Sequence, residues 1–270
     1  MAFFYHGRDR YYYFDIGTGE PVLFLHGLCN SGRAWAPQVA DMVDQGYRVI
    51  IPDLLGHGAS SLLDREFTPK DQAQAMMAFL EYLGLKSAIV VALSLGGTVA
   101  LEIATNYPAT VEKLVVAGSF LTMATSDRQQ MLDNWIETLR QENGGITRFE
   151  SGWLWLGLVG QKFAKTASGI AYYQAWQAQA AIQDTQSLIQ WCEGMKRYDI
   201  RPNLEKVTAA SLILAGEKDS MSPIKESQEI ASLIKSATFQ VVSGEGHVFN
   251  VSSASEFKNC LHDFLKRGRS

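Results

Sequence analysis

A serine, an aspartate and a histidine, each following an apolar run, are the residues of this sequence best placed to do chemistry. Ser94 stands in Ala88-Ile-Val-Val-Ala-Leu-Ser94-Leu-Gly96-Gly97-Thr98. The apolar run reads as a buried strand that enters Ser94 directly, and a helix leaves it. Small residues stand two before it, Ala92, and two after it, Gly96. A serine on so sharp a turn is held in a strained backbone conformation, and bulk at either flank would collide with the neighbouring strand and helix. The strain lifts the hydroxyl above the sheet edge, where the helix N-terminus favours developing negative charge. Ser94 is therefore a candidate nucleophile. The plain alternative is a capping serine in a glycine-containing turn. Ala92 replaces the usual glycine of such a turn, but it is nearly as small.

A serine hydroxyl needs a base. His247 sits in Ser243-Gly-Glu-Gly246-His247, just after the last apolar run, which puts it on a loop at the same sheet edge as Ser94. The other histidines compete poorly. His262 falls within the last helix, His6 in an opening hairpin, and His26 and His57 in glycine-rich turns. The base in turn needs an acid to hold its tautomer and to stabilise the imidazolium. Asp219 ends Leu212-Ile-Leu-Ala-Gly216-Glu-Lys-Asp219, again at a strand's carboxyl end. Glu217, two residues closer to the strand, is the competing acid, and a simple turn aspartate is the alternative for Asp219.

The elements that must position these groups follow from the apolar periodicity. Residues 2–6 and 10–16 flank Gly7-Arg8-Asp9 and suggest an antiparallel hairpin. Apolar runs follow at Val22–Leu25, Arg48–Ile51, Ala88–Leu93, Lys113–Ala117, Ser211–Ala215 and Phe239–Val242. Continuous β-branched runs of this kind fit strands buried on both faces of a parallel sheet. Helices fall between them. Over Pro69–Leu83, Thr68 is the expected N-cap, Pro69 the first helical residue, and Ala73, Met76, Met77, Leu80 and Leu83 one apolar stripe ended by Gly84. Ser222-Pro223 is expected to open a helix in the same manner. Ser253 with Glu256 is expected to form a capping box for the last one, which runs to about Lys266. The prediction is an α/β protein with a mostly parallel, doubly wound, eight-stranded sheet. Residues 121–200 break the rhythm with no convincing strand and five of the six tryptophans. They are expected to form a helical insertion on a core of residues 1–120 and 201–270.

The order Ser94, Asp219, His247 resembles that of the α/β-hydrolase fold family. Four fragments carry the resemblance over nearly the whole chain. Ala92-Leu-Ser94-Leu-Gly96-Gly97 is similar to the family's nucleophile elbow, and His26-Gly27-Leu28 to its oxyanion turn. Asp53-Leu-Leu-Gly56-His57-Gly58-Ala-Ser60 is similar to its Asp-x-x-Gly-x-Gly-x-Ser loop. Gly216-Glu-Lys-Asp219 and Gly246-His247 resemble its acid and base loops. The resemblance implies catalysis by Ser94, Asp219 and His247, with the backbone N–H groups of Leu28 and Leu95 as oxyanion donors. Loss of one such donor costs about 3–4 kcal/mol. It implies scaffold roles for His26, Asp53 and His57. It also implies that the insertion is a helical cap over the nucleophile, a lid whose aromatic residues Phe149, Trp153, Trp155, Phe163, Tyr172, Tyr173 and Trp176 make an apolar inner face. Cys29, Trp153, Trp155, Tyr172, Trp176 and Val248 are the expected pocket residues. Packing of the lid onto the sheet accounts equally for the aromatics.

The implied activity is hydrolysis of a small carboxylic ester through an acyl-enzyme on Ser94. A serine nucleophile argues against haloalkane dehalogenases and epoxide hydrolases, which use aspartate. The turn His26-Gly27-Leu28-Cys29-Asn30 lacks the extra glycines of the C–C bond hydrolases. Lactonases, enol-lactonases and cofactor-free perhydrolases share the same motifs, and a ligand-binding receptor on this fold is the reading from a different class. Arg33, Arg128, Arg140 and Arg148 are the arginines available to meet a substrate carboxylate, with surface placement the default for each.

The bulk numbers are consistent with a soluble enzyme. The chain has 270 residues, is 47% hydrophobic and 19% charged, and carries a net charge of −4. No Lys/Arg cluster suggests nucleic acid. No apolar stretch approaches the ~20 residues that span a bilayer. Cys29, Cys192 and Cys260 are far apart in sequence and read as reduced thiols of a cytoplasmic protein. No metal or cofactor motif is present, so none is expected. The expected partner is a small ester or lactone, and an aromatic-rich lid could either pair with a second copy or shield the pocket.

Overall fold

The computed structural model describes residues 2–141, 155 and 158–266 of the chain. Its frame is one sheet of eight strands in the order β1-β2-β4-β3-β5-β6-β7-β8. The strands are β1 (Ala2–His6), β2 (Asp9–Ile16), β3 (Glu20–Leu25), β4 (Tyr47–Pro52), β5 (Ala88–Leu93), β6 (Val111–Ala117), β7 (Ala210–Gly216) and β8 (Ala237–Val242). The opening hairpin pairs antiparallel and joins β4 antiparallel. From β4 onward every pairing is parallel. All parallel strands therefore end at one edge, and the loops leaving them can converge there.

The longer helices among the described residues are α1 (Ala36–Asp44), α2 (Pro69–Tyr82), α3 (Leu95–Asn106), α4 (Ser126–Arg140), α5 (Ala167–Ile182), α6 (Thr185–Met195), α7 (Ile224–Leu233) and α8 (Ala254–Lys266). They cover both faces of the sheet. Alternation along β5 shows why. Ala88, Val90 and Ala92 enter the apolar layer that holds Met76 and Phe79 of α2 and Val99 and Ile103 of α3. Ile89, Val91 and Leu93 enter the opposite layer, with Trp35, Met42 of α1 and Phe257 and Leu261 of α8. A central strand buried on both sides has no need of polar residues, which is what its sequence shows.

Local signals set the helix ends. At α2 the Thr68 side chain accepts from Asp71 N–H (3.1 Å), while the Asp71 carboxylate accepts from Thr68 N–H (2.9 Å). This closes a reciprocal cap. At α7 the expected start shifts by one residue. Pro223, not Ser222, is the N-cap. The Ser222 hydroxyl donates instead to the Ser119 carbonyl (2.5 Å). At α8 the Ser253 and Glu256 side chains meet directly at 3.4 Å.

The segment between β6 and β7 leaves and rejoins the sheet at one place. Thr122 and Asp199 form an isolated antiparallel bridge. Met123 N–H donates to the Tyr198 carbonyl (2.8 Å), and Ile200 N–H to that of Leu121 (3.1 Å). Helix α6 and the turn before it are then fastened to the loop after β4. Trp191 Nε1 donates to the Leu55 carbonyl (2.8 Å), Gln183 Nε2 to that of Gly56 (2.6 Å), and the Ser187 hydroxyl accepts from Leu63 N–H (2.9 Å). These bonds hold the helices against the sheet edge where β3, β5, β6 and β7 end.

Candidate active site

Ser94 joins β5 to α3 with φ 57° and ψ −121°. A non-glycine residue at positive φ costs of order 1–3 kcal/mol and persists only when its surroundings enforce it. Here they do. Ser94 N–H donates to the Ala117 carbonyl of β6 (2.9 Å), and the Ser94 carbonyl accepts from the Ser119 hydroxyl (2.9 Å) and from Gly97 N–H (2.8 Å). Gly96 permits the close approach: a Cβ there would lie 2.2 Å from the Leu25 carbonyl oxygen. Gly27 leaves similar room, since a Cβ there would sit 3.2 Å from Ser94 Cβ.

His247 and Asp219 meet directly, His247 Nδ1 to Asp219 Oδ2 at 2.8 Å, with both side chains almost fully buried. The other carboxylate oxygen accepts from Met221 N–H (2.8 Å) and Ser222 N–H (2.9 Å). Asp219 is thus an acceptor held from both sides, which assigns the proton of the pair to His247 Nδ1 and leaves Nε2 as a lone-pair nitrogen. Gly118, at φ 49°, passes beneath the pair; a Cβ there would lie 3.1 Å from Asp219 Oδ2. Glu217, the competing acid, is elsewhere. Its exposed carboxylate accepts from Gly244 N–H (2.6 Å) and the Ser243 hydroxyl (2.9 Å). Those two bonds, the backbone one foremost, hold it below the usual carboxylate range.

The turn after β3 is braced by histidines that remain neutral. His26 Nδ1 bonds the Gly27 carbonyl (2.8 Å) and its Nε2 accepts from Leu54 N–H (3.0 Å). His57 Nδ1 bonds the Leu55 carbonyl (3.1 Å) and its Nε2 accepts from Cys29 N–H (3.3 Å). Burial lowers His26 to about 4 and His57 to about 3. Asp53 accepts from Gly32 N–H (2.7 Å) and Ala59 N–H (2.9 Å), so its carboxylate ties the same turns together. These bonds fix the backbone that carries Leu28. Leu95, as the first residue of α3, has an N–H with no partner one turn back in its own helix.

Ser94, His247, Leu28 and Leu95 all line one cavity of about 130 Å³. That is below the ~300–1,000 Å³ of pockets for drug-sized ligands and suits a small molecule. Of the expected pocket residues, Cys29, Trp155, Tyr172, Trp176 and Val248 line it. Trp153 lies outside the described residues, as do Phe149 and Arg148. Phe163 lies away from the cavity lining, and Tyr173 packs on Trp155 at 4.8 Å behind it. The sequence reading missed Asn30, Phe120, Trp135, Leu188, Trp191 and Met221 on its wall. Several of these come from α4 and α6, whose inward faces depend on how the helices dock. Burial pushes the Cys29 thiol up, so it is a protonated wall atom.

No charged side chain lines the cavity among the described residues. Arg128 pairs with Glu226 (2.7 Å) and donates to the Met221 carbonyl (2.9 Å). Arg140 faces Glu193 at 3.7 Å, and Arg33 is exposed. No group of three His, Cys, Asp or Glu among the described residues could hold a metal ion. No helix among them is long and apolar enough to cross a membrane.

Known proteins match this chain over nearly its whole length. The sequence pattern of the alpha/beta hydrolase fold family matches residues 20–254. A relative from Variovorax paradoxus, named as the carbamate hydrolase RutD, is 27% identical over 256 residues, covering 92% of each chain. A non-heme haloperoxidase from Rhodococcus erythropolis is 28% identical over 266 residues, covering 94% of this chain and 95% of its own. The solved structure of a thermophilic esterase from Thermogutta terrifontis superposes with a TM-score of 0.88 at 22% identity, covering 97% of this chain and 95% of its own.

Proposed function

The chain belongs to the alpha/beta hydrolase fold family, and on that premise we propose that it is a serine hydrolase acting on a small, uncharged carboxylic ester. The observation that carries this reading is the strained Ser94 at the mouth of α3, sharing one cavity with a His247 whose Nδ1 is held by Asp219. In this mechanism His247 Nε2 takes the proton from the Ser94 hydroxyl as the oxygen attacks the ester carbonyl. The C–O double bond opens to an oxyanion, which the N–H groups of Leu28 and Leu95 stabilise where its charge develops. His247 then gives the proton to the leaving alcohol, and the acyl group remains on Ser94. Water repeats the sequence, its proton passing to His247 and its oxygen to the acyl carbon, and releases the acid. Asp219 keeps Nδ1 protonated throughout and stabilises the imidazolium, without taking the proton itself.

Among the described residues the wall is aromatic and Met-rich with no charged side chain, which supports a neutral substrate. A carboxylate brought against the described part of the wall would lose its hydration with no positive partner there, which is costly in an apolar site. A lactone meets the same requirements as an open ester. Transfer of the acyl group to hydrogen peroxide instead of water, giving a peracid, is the chemistry that the haloperoxidase's name adds to the trials, and carbamate cleavage is the one that the carbamate hydrolase's name adds.

Hydrolysis of p-nitrophenyl esters from acetate to palmitate, with Ser94→Ala as control, tests the reading. Turnover is expected to peak at short acyl chains and to fall by about four orders of magnitude or more in Ser94→Ala. Undiminished turnover in that variant rules the mechanism out.

A further inference from the structure

Outside the cavity, two buried amide side chains join the two loops on which the chemistry depends. Asn250 follows His247 closely, in the short helix Phe249–Ser252. Gln38 lies in the first turn of α1, and Ala34 in the turn Gly32–Trp35, just beyond the turn that carries Leu28. Asn250 Nδ2 donates to the Ala34 carbonyl (3.0 Å), and Gln38 Nε2 donates to the Asn250 carbonyl (2.6 Å). Both bonds end on backbone carbonyl oxygens, which only accept, so each amide must turn its nitrogen toward them. Gln38 and Asn250 are as buried as the apolar core around them.

These bonds reach from one loop to the other. Ala34 N–H donates to the Ser31 carbonyl (3.0 Å) and Gly32 N–H to the Asp53 carboxylate (2.7 Å), so Ala34 is continuous with the braced turn that presents Leu28. On the other side, Val248 and Phe249 alone separate Asn250 from His247. Val248 N–H is held from the insertion by the Leu158 carbonyl (2.8 Å), and Phe249 is buried against Phe257 (5.8 Å). The amides hold the same segment from the side of α1. Their own oxygens, Gln38 Oε1 and Asn250 Oδ1, meet no donor among the described residues. Apolar side chains of like shape would fill the space without stranding either oxygen. What the amides add is direction.

We propose that Gln38 and Asn250 are positioning residues, a strut that fixes the segment bearing His247 against the turn bearing Leu28. The inference rests on the serine-hydrolase reading and adds to it. In that reaction His247 Nε2 acts on the Ser94 proton while Leu28 N–H acts on the carbonyl oxygen, so both must hold their places in one transition state. A displacement of about 1 Å costs about 100-fold in rate even when its cause lies far from the chemistry. Binding of the ground state makes no such demand, so loss of the strut falls on kcat rather than KM.

Gln38→Met, Asn250→Leu and the two together remove the bonds with little change of volume, and each variant is assayed well below its urea midpoint. On p-nitrophenyl butyrate the paired variant is expected to lower kcat about 10- to 100-fold with KM within about threefold, each single change giving a smaller loss of the same kind. Butylboronic acid supplies a readout without turnover. Its boron takes the Ser94 oxygen as a fourth ligand, the hydroxyl proton passes to His247, and an oxygen of the tetrahedral anion faces the Leu28 and Leu95 N–H groups. Its affinity, read by the fluorescence of the tryptophans that line the cavity, is expected to fall about 10-fold or more in the paired variant. If the pair does not fold, Gln38→Met alone, close in length and volume to the side chain it replaces, decides by the direction of the same changes. An unchanged kcat, a KM that rises as far as kcat falls, or an unchanged boronate affinity overturns the proposal. Ser94-dependent hydrolysis that survives intact in the variants defeats the strut alone. A boronate adduct weakened in the variants of a protein that hydrolyses no ester supports the strut and defeats the ester reading. Neither hydrolysis nor saturable boronate binding overturns both.

Discussion

The carboxyl edge of the sheet and the helices laid over it build two halves of one cavity by different means. At the sheet edge, strand register and backbone hydrogen bonds decide where each group stands. Ser94, Asp219 and the loop to His247 follow β5, β7 and β8, and each is tied by main-chain bonds to its neighbours. The helical half contributes Trp135 from α4, Tyr172 and Trp176 from α5 and Leu188, Trp191 and Met195 from α6, and most of its contact with the cavity is apolar. The difference teaches a division of labour. The half fixed by hydrogen bonds holds groups to the tolerance that proton transfer needs. The helical half is tied by hydrogen bonds to the loop after β4 and, among the described residues, not to Ser94, Asp219 or His247. It meets the cavity through apolar side chains that can change shape with few unsatisfied polar groups, and so sets what is bound.

That division predicts unequal responses to substitution. The largest belongs to the bonded half. Asp219→Asn is expected to lower kcat on a short p-nitrophenyl ester by about 10⁴-fold, since an amide leaves His247 in the wrong tautomer. Glu217→Gln is expected to stay within about twofold, and a reversal of the two would make Glu217 the acid. Next is Gly96→Ala. Its new methyl would meet the Leu25 carbonyl at 2.2 Å, a backbone atom that cannot step aside. A loss of several kcal/mol in urea unfolding is expected; an unchanged midpoint would mean that the elbow has slack.

A smaller effect concerns the buried histidines. His26 and His57 bind protons in the unfolded chain near pH 6.5 but in the folded protein only at about 4 and about 3. Below pH 6.5 the unfolded state therefore holds more protons, so stability is complete above that pH and falls as acid is added down to the folded values. His26 alone accounts for a decline on the order of 3 kcal/mol between pH 6.5 and about 4. Urea midpoints measured across that range should show a shallower slope in His26→Gln, whatever its absolute stability; an identical slope would deny the histidine its role. The smallest effect falls on the packed half. Trp176→Ala is expected to shift the best acyl chain toward greater length, with kcat/KM on the longer ester rising about tenfold. A uniform drop on every chain length would show that the helices position the catalytic groups as well as the substrate.

The same contrast explains what could be read from the sequence. The strands were legible because six apolar runs have no other use, and α2 because Thr68, Pro69, Asp71 and Gly84 each mark one of its ends. The triad candidates were legible as residues following strand ends, and the structure brings His247 and Asp219 into contact and sets Ser94 in the same cavity. The helix start at Ser222-Pro223 was misread by one residue because Ser222 is recruited to the Asp219 loop, where its N–H holds the carboxylate and its hydroxyl holds Ser119. In α5 no charged residue occurs, so no polar face reveals which side turns inward. Tyr172 and Trp176 could be suspected for the pocket, but which aromatics of the insertion line it depends on tertiary packing that leaves no local pattern.

The central claim is that the chemistry resides in Ser94 at the sheet edge, activated by His247. Treatment with a fluorophosphonate, followed by intact-mass measurement and peptide mapping, tests it most directly. The account predicts a single adduct on Ser94, formed rapidly in the unmodified protein, strongly slowed in His247→Gln and absent in Ser94→Ala. An adduct on another residue, or labelling of Ser94 at the same rate without His247, would contradict it.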